Sequence, residues 1–571
     1  MASRSIFKRL AEPREAISLV HQRVGSGIVD RILGQGSIIV GLQELLGRLI
    51  AEEVRSPRPL PWYPRSLVDG CAVRSVDVAG AFEDRPVVLR YRGRVKIGVR
   101  PSEPLRPGEC WEIDTGAWLP LGADAVVPIE YVTRPRHDLA RIERGASPGQ
   151  GIALPATDVA TGDQIAWAGA PVTPEMVSAL ASIGLKRVKA TRRVRAAVFS
   201  TGDELVEPGE DPGDAGIFDS NRFQLISWFK LLGYDVVDLG IARDTIDDVE
   251  DMIIRAVGED ADVIVASGGT SAGLEDVVYK ALGRRGEVLI HGLRIKPGKP
   301  TILGIVGEDR LFIGLPGNPR SASNVFEEVV LDLLSRLGLP SIRRGMRRVR
   351  AQLVSTLPVE KGRHTIIPLA LAGSRSGYLA FTVAKDSYMI ASYPKADALA
   401  VVPAGTHTPP RPGSLVEAEL LREPGEKLIM LTDTAMDLVP RGQGLQTIYY
   451  PVADPHPILE SLKPGTRVVY AEAGQEASIR VIREATRSIV LAGRGGRCER
   501  IAVYQPYTIH QDALKDAVKV PSPRAESAVI LYKQGYVDCA LIPEDYADGL
   551  ETIETIGSEK LVYGEITHPT T

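Results

Sequence analysis

Between residues 192 and 335 the chain alternates short apolar runs with segments of helical periodicity. RVRAAVFSTGDEL reads as strand and loop, DSNRFQLISWFKLLG as a capped helix, and YDVVDLGIARD as a strand. IDDVEDMIIRAVG, ADVIVASGG and RLFIGLPGNPRSASNVFEEVVLDLL continue as helix, strand, and strand–turn–helix. Parallel strands need long crossovers, and the crossover helices must cover the sheet faces. The order therefore predicts a doubly wound α/β domain, with ligands outside the carboxyl ends of the strands.

Chemistry-bearing residues gather at those ends. Ser267 to Gly273 reads SGGTSAG, three glycines and three hydroxyls between a strand and a helix. Helix N-termini present unpaired N–H groups, and glycine lets a backbone approach an anion, so the stretch reads as an oxyanion cradle. It reads equally as a turn with a Ser or Thr cap, and its spacing is not that of a P-loop. Asp203 and Glu204 follow strand RAAVF, Asp244 follows VVDLG, and Asp276 lies one turn beyond SGGTSAG. Lys296 and Lys299 stand in LRIKPGKP. Acids beside phosphate-binding groups suggest Mg²⁺ bridging phosphates, with the lysines neutralising oxyanion charge. Singly, Asp203 also fits a helix cap, Asp244 with Thr245 an N-cap, and the lysines a solvated turn.

The 571 residues suggest about four domains at ~150 residues each. A net charge of −4 gives no electrostatic case for nucleic acid. No apolar run approaches the ~18 residues of a membrane span, and MASRSIFKRLAEPREAIS lacks the apolar stretch of a signal peptide. Cys71, Cys110, Cys498 and Cys539 lie far apart with no C-x-x-C pair, which argues against structural zinc and for a reducing cytoplasm. Asn221, Asn318 and Asn324 are the only asparagines, a composition like a thermophile's.

Residues 8–53 read as mostly helical, GLQELLGRLIAEEV carrying apolar residues at i, i+3, i+4 and i+7. RSPRPLPWYP breaks that pattern, and short strands with Gly/Pro turns follow to about 155. Strands and turns return from about 340 to 421. LLREPGEKL reads as an exposed linker, so residues 8–421 are expected to bury their own cores without the tail. In the tail, EKLIMLTDTAMDLVPRG and RVVYAEAGQEASIRVIREA each read as strand, turn, helix, and SAVILYKQGYVDCALIPEDYADGLETI as helix, Gly, strand, loop.

Eight stretches occur together in one order: RSLVDGCAVR, EIDTGAWLPLGADAVVPIE, GAPVTPEMVSALASIG, STGDEL, IFDSNR, SGGTSAG, IKPGKP and LPGNP. Over about residues 8–421 the chain resembles the molybdopterin molybdenumtransferases, the MoeA proteins and the gephyrin E domain. The resemblance implies a multidomain α/β plus β protein. Residues 8–55 with 156–191 would form domain I and 56–155 a β-rich domain II. A MogA-like α/β domain III would span 192–337 and a β-barrel domain IV 338–424. Residues 425–571 would add a C-terminal α/β domain, either like periplasmic or LysR-type ligand-binding domains or an unrelated module.

The implied activity is insertion of molybdate or tungstate into adenylyl-molybdopterin, with Mg²⁺-dependent release of AMP. The implied partners are a second copy of the chain and a MogA- or MoaB-like molybdopterin adenylyltransferase. The site would lie between the α/β domain of one subunit and the β domains of the other. Residue by residue, Asp69, Glu204, Asp244 and Asp276 match the catalytic acids, the last three also holding the metal. Thr115, Asp158, Gly268, Gly269, Thr270, Ser271, Lys296, Lys299, Arg363 and Ser387 match substrate-binding positions. The chain departs from the family's SAMDGYAV at Leu67, Val68 and Cys71, lacks its second Arg near Pro368, and reads KDSY at Ser387. These departures motivate a second reading, a catalytically altered pterin- or oxyanion-binding or regulatory protein.

Overall fold

The computed structural model describes residues 10–270, 276–342, 347–383, 386–391, 393–432 and 446–450, together with 452–567 except 453–454, 465, 472–478, 494–497, 499, 505–516, 523 and 549. At its centre lies a six-stranded sheet. In chain order its strands are β1 (Arg195–Thr201), β2 (Asp235–Ala242), β3 (Val263–Ser267), β4 (Gly286–His291), β5 (Ile302–Val306) and β6 (Arg310–Leu315). Their spatial order is β2-β1-β3-β6-β5-β4. The first four of that order run parallel, and β5 and β4 extend the sheet antiparallel.

Helices α1 (Asn221–Leu231), α2 (Ile246–Gly258) and α3 (Val277–Arg285) cover the faces. Ala196, Val198, Val263, Val265, Leu311 and Ile313 share one core with Leu225 and Phe229 of α1. Ala197, Phe199, Ile264, Ala266 and Phe312 share another with α2 and α3. Burial on both faces is why these strands read as unbroken apolar runs.

The N-terminal helices touch both the α/β domain and the segment 156–191. Helices Pro13–Val24 and Gly27–Gly34 place Ile17, Val20, Ile28 and Ile32 in the core that holds α1, while Val29 lies against Gly169, so close that a Cβ there would be 2.9 Å away. Residues 38–55 do pair with the later segment: Ile38–Gly41 lies antiparallel to Arg187–Ala190, and Val54–Arg55 to Gln164–Ala166. The helix expected for GLQELLGRLIAEEV is only the 3-10 turn Leu42–Glu44. Gly47 interrupts it, with φ +80° and a backbone so close to Gly233 that a Cβ would lie 1.8 Å from the Gly233 carbonyl oxygen.

A second six-stranded sheet carries the β-rich region, in the order Ala125–Pro128, Gly70–Val73, Glu109–Ile113, Val87–Val95, Leu139–Ile142 and Val132–Arg136. Downstream, Arg348–Leu353, His364–Ser374, Gly377–Thr382, Ala398–Val402 and Leu415–Leu420 close into a barrel. Leu353, Leu369, Leu371 and Ala380 fill its interior. Ile295–Lys296 joins the barrel sheet, parallel to His364–Thr365.

The tail forms an eight-stranded sheet in which two parallel triplets flank the long antiparallel pair Ile479–Gly493 and Glu551–Ile566. IRVIREA, expected as helix, begins the first of those long strands. The tail is not a free appendage. Outward-facing Ala370, Ala372, Leu379 and Phe381 of the barrel share a core with Ile429, Leu431, Ile448, Leu459, Leu462 and Val468 of the tail. The linker 422–426 is largely exposed as expected, but residues 8–421 do not bury their apolar surface without the tail. At the joint, buried Asp397 takes hydrogen bonds from Lys427 (3.0 Å), Arg422 (3.1 Å) and the Leu371 amide (2.8 Å). Cys498 and Cys539 form a disulfide, because the parallel pairing of Ile501 with Cys539 brings the distant positions together. That removes the cysteine argument for a reducing compartment. Among the described residues, no helix is long and apolar enough to cross a membrane.

Candidate functional site

Strands β1, β2, β3 and β6 end at Thr201, Ala242, Ser267 and Leu315, all on one edge of the sheet. Beyond that edge lies a cleft of about 710 Å³. Its walls include Glu204, Asp244, Gly268, Gly269, Thr270, Lys296, Lys299, Arg363 and Ser387. Nine of the residues singled out in the sequence thus meet in one cavity. Arg363, Ser387 and Tyr388 come from the barrel of the same chain. The barrel thus reaches this α/β domain within one chain. The physical reason is strand Ile295–Lys296, which ties the lysine loop into the barrel sheet beside His364–Thr365.

The glycines are required by packing. A Cβ on Gly268 would sit 2.1 Å from the Thr201 carbonyl, and one on Gly269 would meet Thr201, Val277 and Val278 at 2.9 Å. Both have positive φ, +100° and +57°. The Gly268 amide donates to the Leu315 carbonyl (3.0 Å), and Thr270 Oγ1 to the same carbonyl (3.3 Å). The turn therefore fastens the ends of β3 and β6 while lining the cleft. Helix α3, however, does not offer its N-terminus as an open cradle. Asp276 caps it, accepting the Tyr279 amide at 2.9 Å. Ser271 lies outside the described residues.

Asp276 also bonds His291 Nε2 at 2.8 Å, is 3 % exposed, and does not line the cleft. Its two oxygens serve the helix cap and the histidine. Among the described residues, no group of three or more His, Cys, Asp or Glu side chains is placed to hold a metal ion. Glu204 and Asp244 remain, both exposed at the cleft. Asp244 is not the cap of α2, since Thr245 Oγ1 accepts the Asp248 amide (3.1 Å). Instead Asp244 Oδ1 accepts from Thr201 Oγ1 (2.7 Å), and its amide donates to Asp203 Oδ1 (3.3 Å). Two carboxylates suit Mg²⁺, which takes one or two protein carboxylates and completes its shell with water and substrate phosphates.

Sequence reasoning missed Glu360. Its carboxylate bonds Lys296 Nζ at 2.5 Å and also Arg363 Nη2, and these bonds hold its carboxyl below the usual glutamate range. It missed the asparagines as well. Asn221 lines the cleft and donates to Ser267 Oγ and the Gly317 carbonyl, both at 2.8 Å. Asn318 also lines it and donates to Ser387 Oγ at 2.9 Å. Asn324 donates to the Pro297 carbonyl at 2.8 Å. The one available signal was compositional, these being the chain's only asparagines.

Asp69, Thr115 and Asp158 are not brought to this cleft within one chain. Asp69 Oδ1 accepts from the Thr115 amide (2.6 Å) and hydroxyl (2.7 Å). Those bonds hold the Asp69 carboxyl below the usual aspartate range. Asp158 is exposed. Cys71, two residues beyond Asp69, is 1 % exposed and packs with Cys110, Val73 and Val127. It is a core residue, and its thiol is pushed up by hydrogen bonding with Cys110 and by burial.

Comparison with known proteins matches residues 12–184 to the MoeA N-terminal region (domain I and II), 197–336 to a probable molybdopterin binding domain, and 350–421 to the MoeA C-terminal region (domain IV). The chain is 30 % identical over 423 residues to molybdopterin molybdenumtransferase 1 of Mycobacterium tuberculosis, covering 68 % of this chain and 95 % of that protein. It is 36 % identical over 298 residues to the molybdopterin molybdenumtransferase of Haemophilus influenzae, covering 52 % and 72 %. The crystal structure of the molybdopterin biosynthesis MoeA protein from Pyrococcus horikoshii superimposes with a TM-score of 0.54 at 25 % identity, covering 72 % of this chain and all of that one.

Proposed function

Because the chain belongs to the MoeA family of molybdopterin molybdenumtransferases, we propose that it inserts molybdate or tungstate into adenylyl-molybdopterin and releases AMP, in the biosynthesis of the molybdenum cofactor. One observation carries the reading: a single cleft at the carboxyl edge of the α/β sheet joins two carboxylates to cationic side chains. That is the polarity a phosphate-linked, oxyanion-accepting substrate needs.

Glu204 and Asp244 would hold Mg²⁺. When bound, the ion would neutralise charge on the pyrophosphate oxygens. Thr201 fixes one Asp244 oxygen, so this carboxylate is aimed before substrate arrives. Lys296 and Arg363 would meet phosphate or oxyanion charge, Arg in a planar fork and Lys as a point charge. The absence of a Cβ at Gly268 and Gly269 lets this turn seat against the strand ends and keeps the floor of the cleft open. Asp69, Thr115 and Asp158 would complete the site from a second copy of the chain. A MogA- or MoaB-like adenylyltransferase would supply the substrate, in the cytoplasm.

The test is AMP release and cofactor formation from purified adenylyl-molybdopterin, with molybdate and tungstate in parallel. Glu204→Gln, exposed at the cleft, should fold normally and lose about a hundredfold in rate, roughly 3 kcal/mol of barrier. A normal rate in that variant refutes the acidic half of the site.

A further inference from the structure

Lys296 lies on a strand of the barrel sheet and Arg363 immediately precedes the strand it pairs with, and both line the cleft. Both are already engaged. Glu360 sends one carboxylate oxygen to Lys296 Nζ and the other to Arg363 Nη2. All three side chains keep solvent access, at 43 % for Lys296, 31 % for Glu360 and 25 % for Arg363. The arrangement is built. Glu360 and Arg363 are joined by a backbone hydrogen bond from the Arg363 amide to the Glu360 carbonyl (3.2 Å). Arg294 Nε holds the Gly362 carbonyl between them (3.0 Å). The carboxylate therefore already occupies donors on both cations that a bidentate oxyanion would use.

We propose that Glu360 is a specificity-determining residue, an internal anion that holds Lys296 and Arg363 in receptive positions and yields them to a substrate phosphate or metal oxyanion of higher charge. This rests on the reading of the cleft as an anion-accepting site. An exposed carboxylate pair is a weak interaction, so displacement is within reach of a dianion but disfavoured for a singly charged competitor. Free protein then carries a lower net positive charge at the cation wall than the liganded form exposes, and small monoanions are rejected.

The experiment is calorimetric titration of the full chain with AMP and, separately, with tungstate, using adenosine as the phosphate-free control. In Glu360→Gln, AMP and tungstate should bind about tenfold more tightly, the scale of two exposed ion pairs released. Adenosine affinity should not move. Glu360→Asp should return affinity toward that of the native chain, which a merely structural role would not distinguish from Gln. Chloride should compete more effectively in the Gln variant than in the native chain. Unchanged or weakened dianion binding in Glu360→Gln overturns the proposal. Failure of the functional reading is separable: a native chain that inserts no metal, with a Gln variant that still gains dianion affinity, sinks the activity and leaves the internal anion standing. Normal insertion with no gain does the reverse.

Discussion

Deleting residues 425–571 should unfold the barrel rather than release an autonomous core. Leu379, Phe381 and Val383 are 3 %, 0 % and 7 % exposed, and their shared core is completed by tail residues. At ~1.5–3 kcal/mol for each large apolar side chain, returning the three to water costs about 5–9 kcal/mol, an upper bound because neighbours relax. Deletion also removes Lys427 from Asp397, which is 0 % exposed and keeps only Arg422 and the Leu371 amide. Losing one of the two cations paired with a buried carboxylate adds up to about 3 kcal/mol. Together these rival the ~5–15 kcal/mol that holds a typical domain folded. Size-exclusion chromatography with an apolar-surface dye should show the truncated chain associating and binding dye. Lys427→Met in the full chain isolates the charge component, and urea denaturation should report a loss of up to about 3 kcal/mol. A truncated chain that is monodisperse, dye-silent and cooperative in unfolding would refute the reasoning.

Gly47→Ala should destabilise by at least about 2 kcal/mol in thermal denaturation, since its φ is +80° and the added Cβ meets the Gly233 carbonyl. Thr115→Ala should raise the Asp69 pKa toward the ordinary aspartate value, read by NMR titration, because one of two hydrogen bonds favouring the carboxylate is lost. The sign is that of a depressed acid: this contribution is present above the unfolded pKa and disappears as pH falls through the folded one, so the variant should differ from the native chain only on the acid limb. Mixing Asp69→Asn chains with Glu204→Gln chains should restore activity in heterodimers, and no recovery would count against a site completed by a second copy.

The α/β core was legible because period and burial agree there. Runs such as DVIVA are apolar on both faces, and α2 is amphipathic and capped by Thr245. The same logic, applied more widely, would have exposed the tail's role. HTIIPLALAG and GYLAFTV are also continuous apolar runs, as strands covered on both faces must be, and a solvent-facing barrel strand would alternate. GLQELLGRLIAEEV misled because its spacing is helical while Gly47 serves a close backbone approach that no local pattern records. Asp276 was ambiguous for another reason. Capping and metal ligation ask for the same residue at the same place, a strand-to-helix turn, and only the bond to the Tyr279 amide separates them.

Glu360 carried no motif at all, being a charge in a loop whose meaning comes from a strand pairing 64 residues away along the chain. The asparagines show the opposite case, in which composition held the signal and the fold gives it a location. The chain retains only Asn221, Asn318 and Asn324, and all three contact the cleft loops. At Asn221 and Asn324 a side-chain donor is needed, because each bonds a backbone carbonyl. Asn221 donates two bonds from one nitrogen to the Ser267 hydroxyl and the Gly317 carbonyl, and an aspartate there would turn an oxygen toward that carbonyl. Asn324 likewise donates to the Pro297 carbonyl beside Lys296. Carboxylates in these places would also add negative charge beneath a wall that must accept phosphate. Where the rest of the chain dispenses with asparagine, the cleft keeps it because only a neutral donor fastens the loops without opposing the ligand.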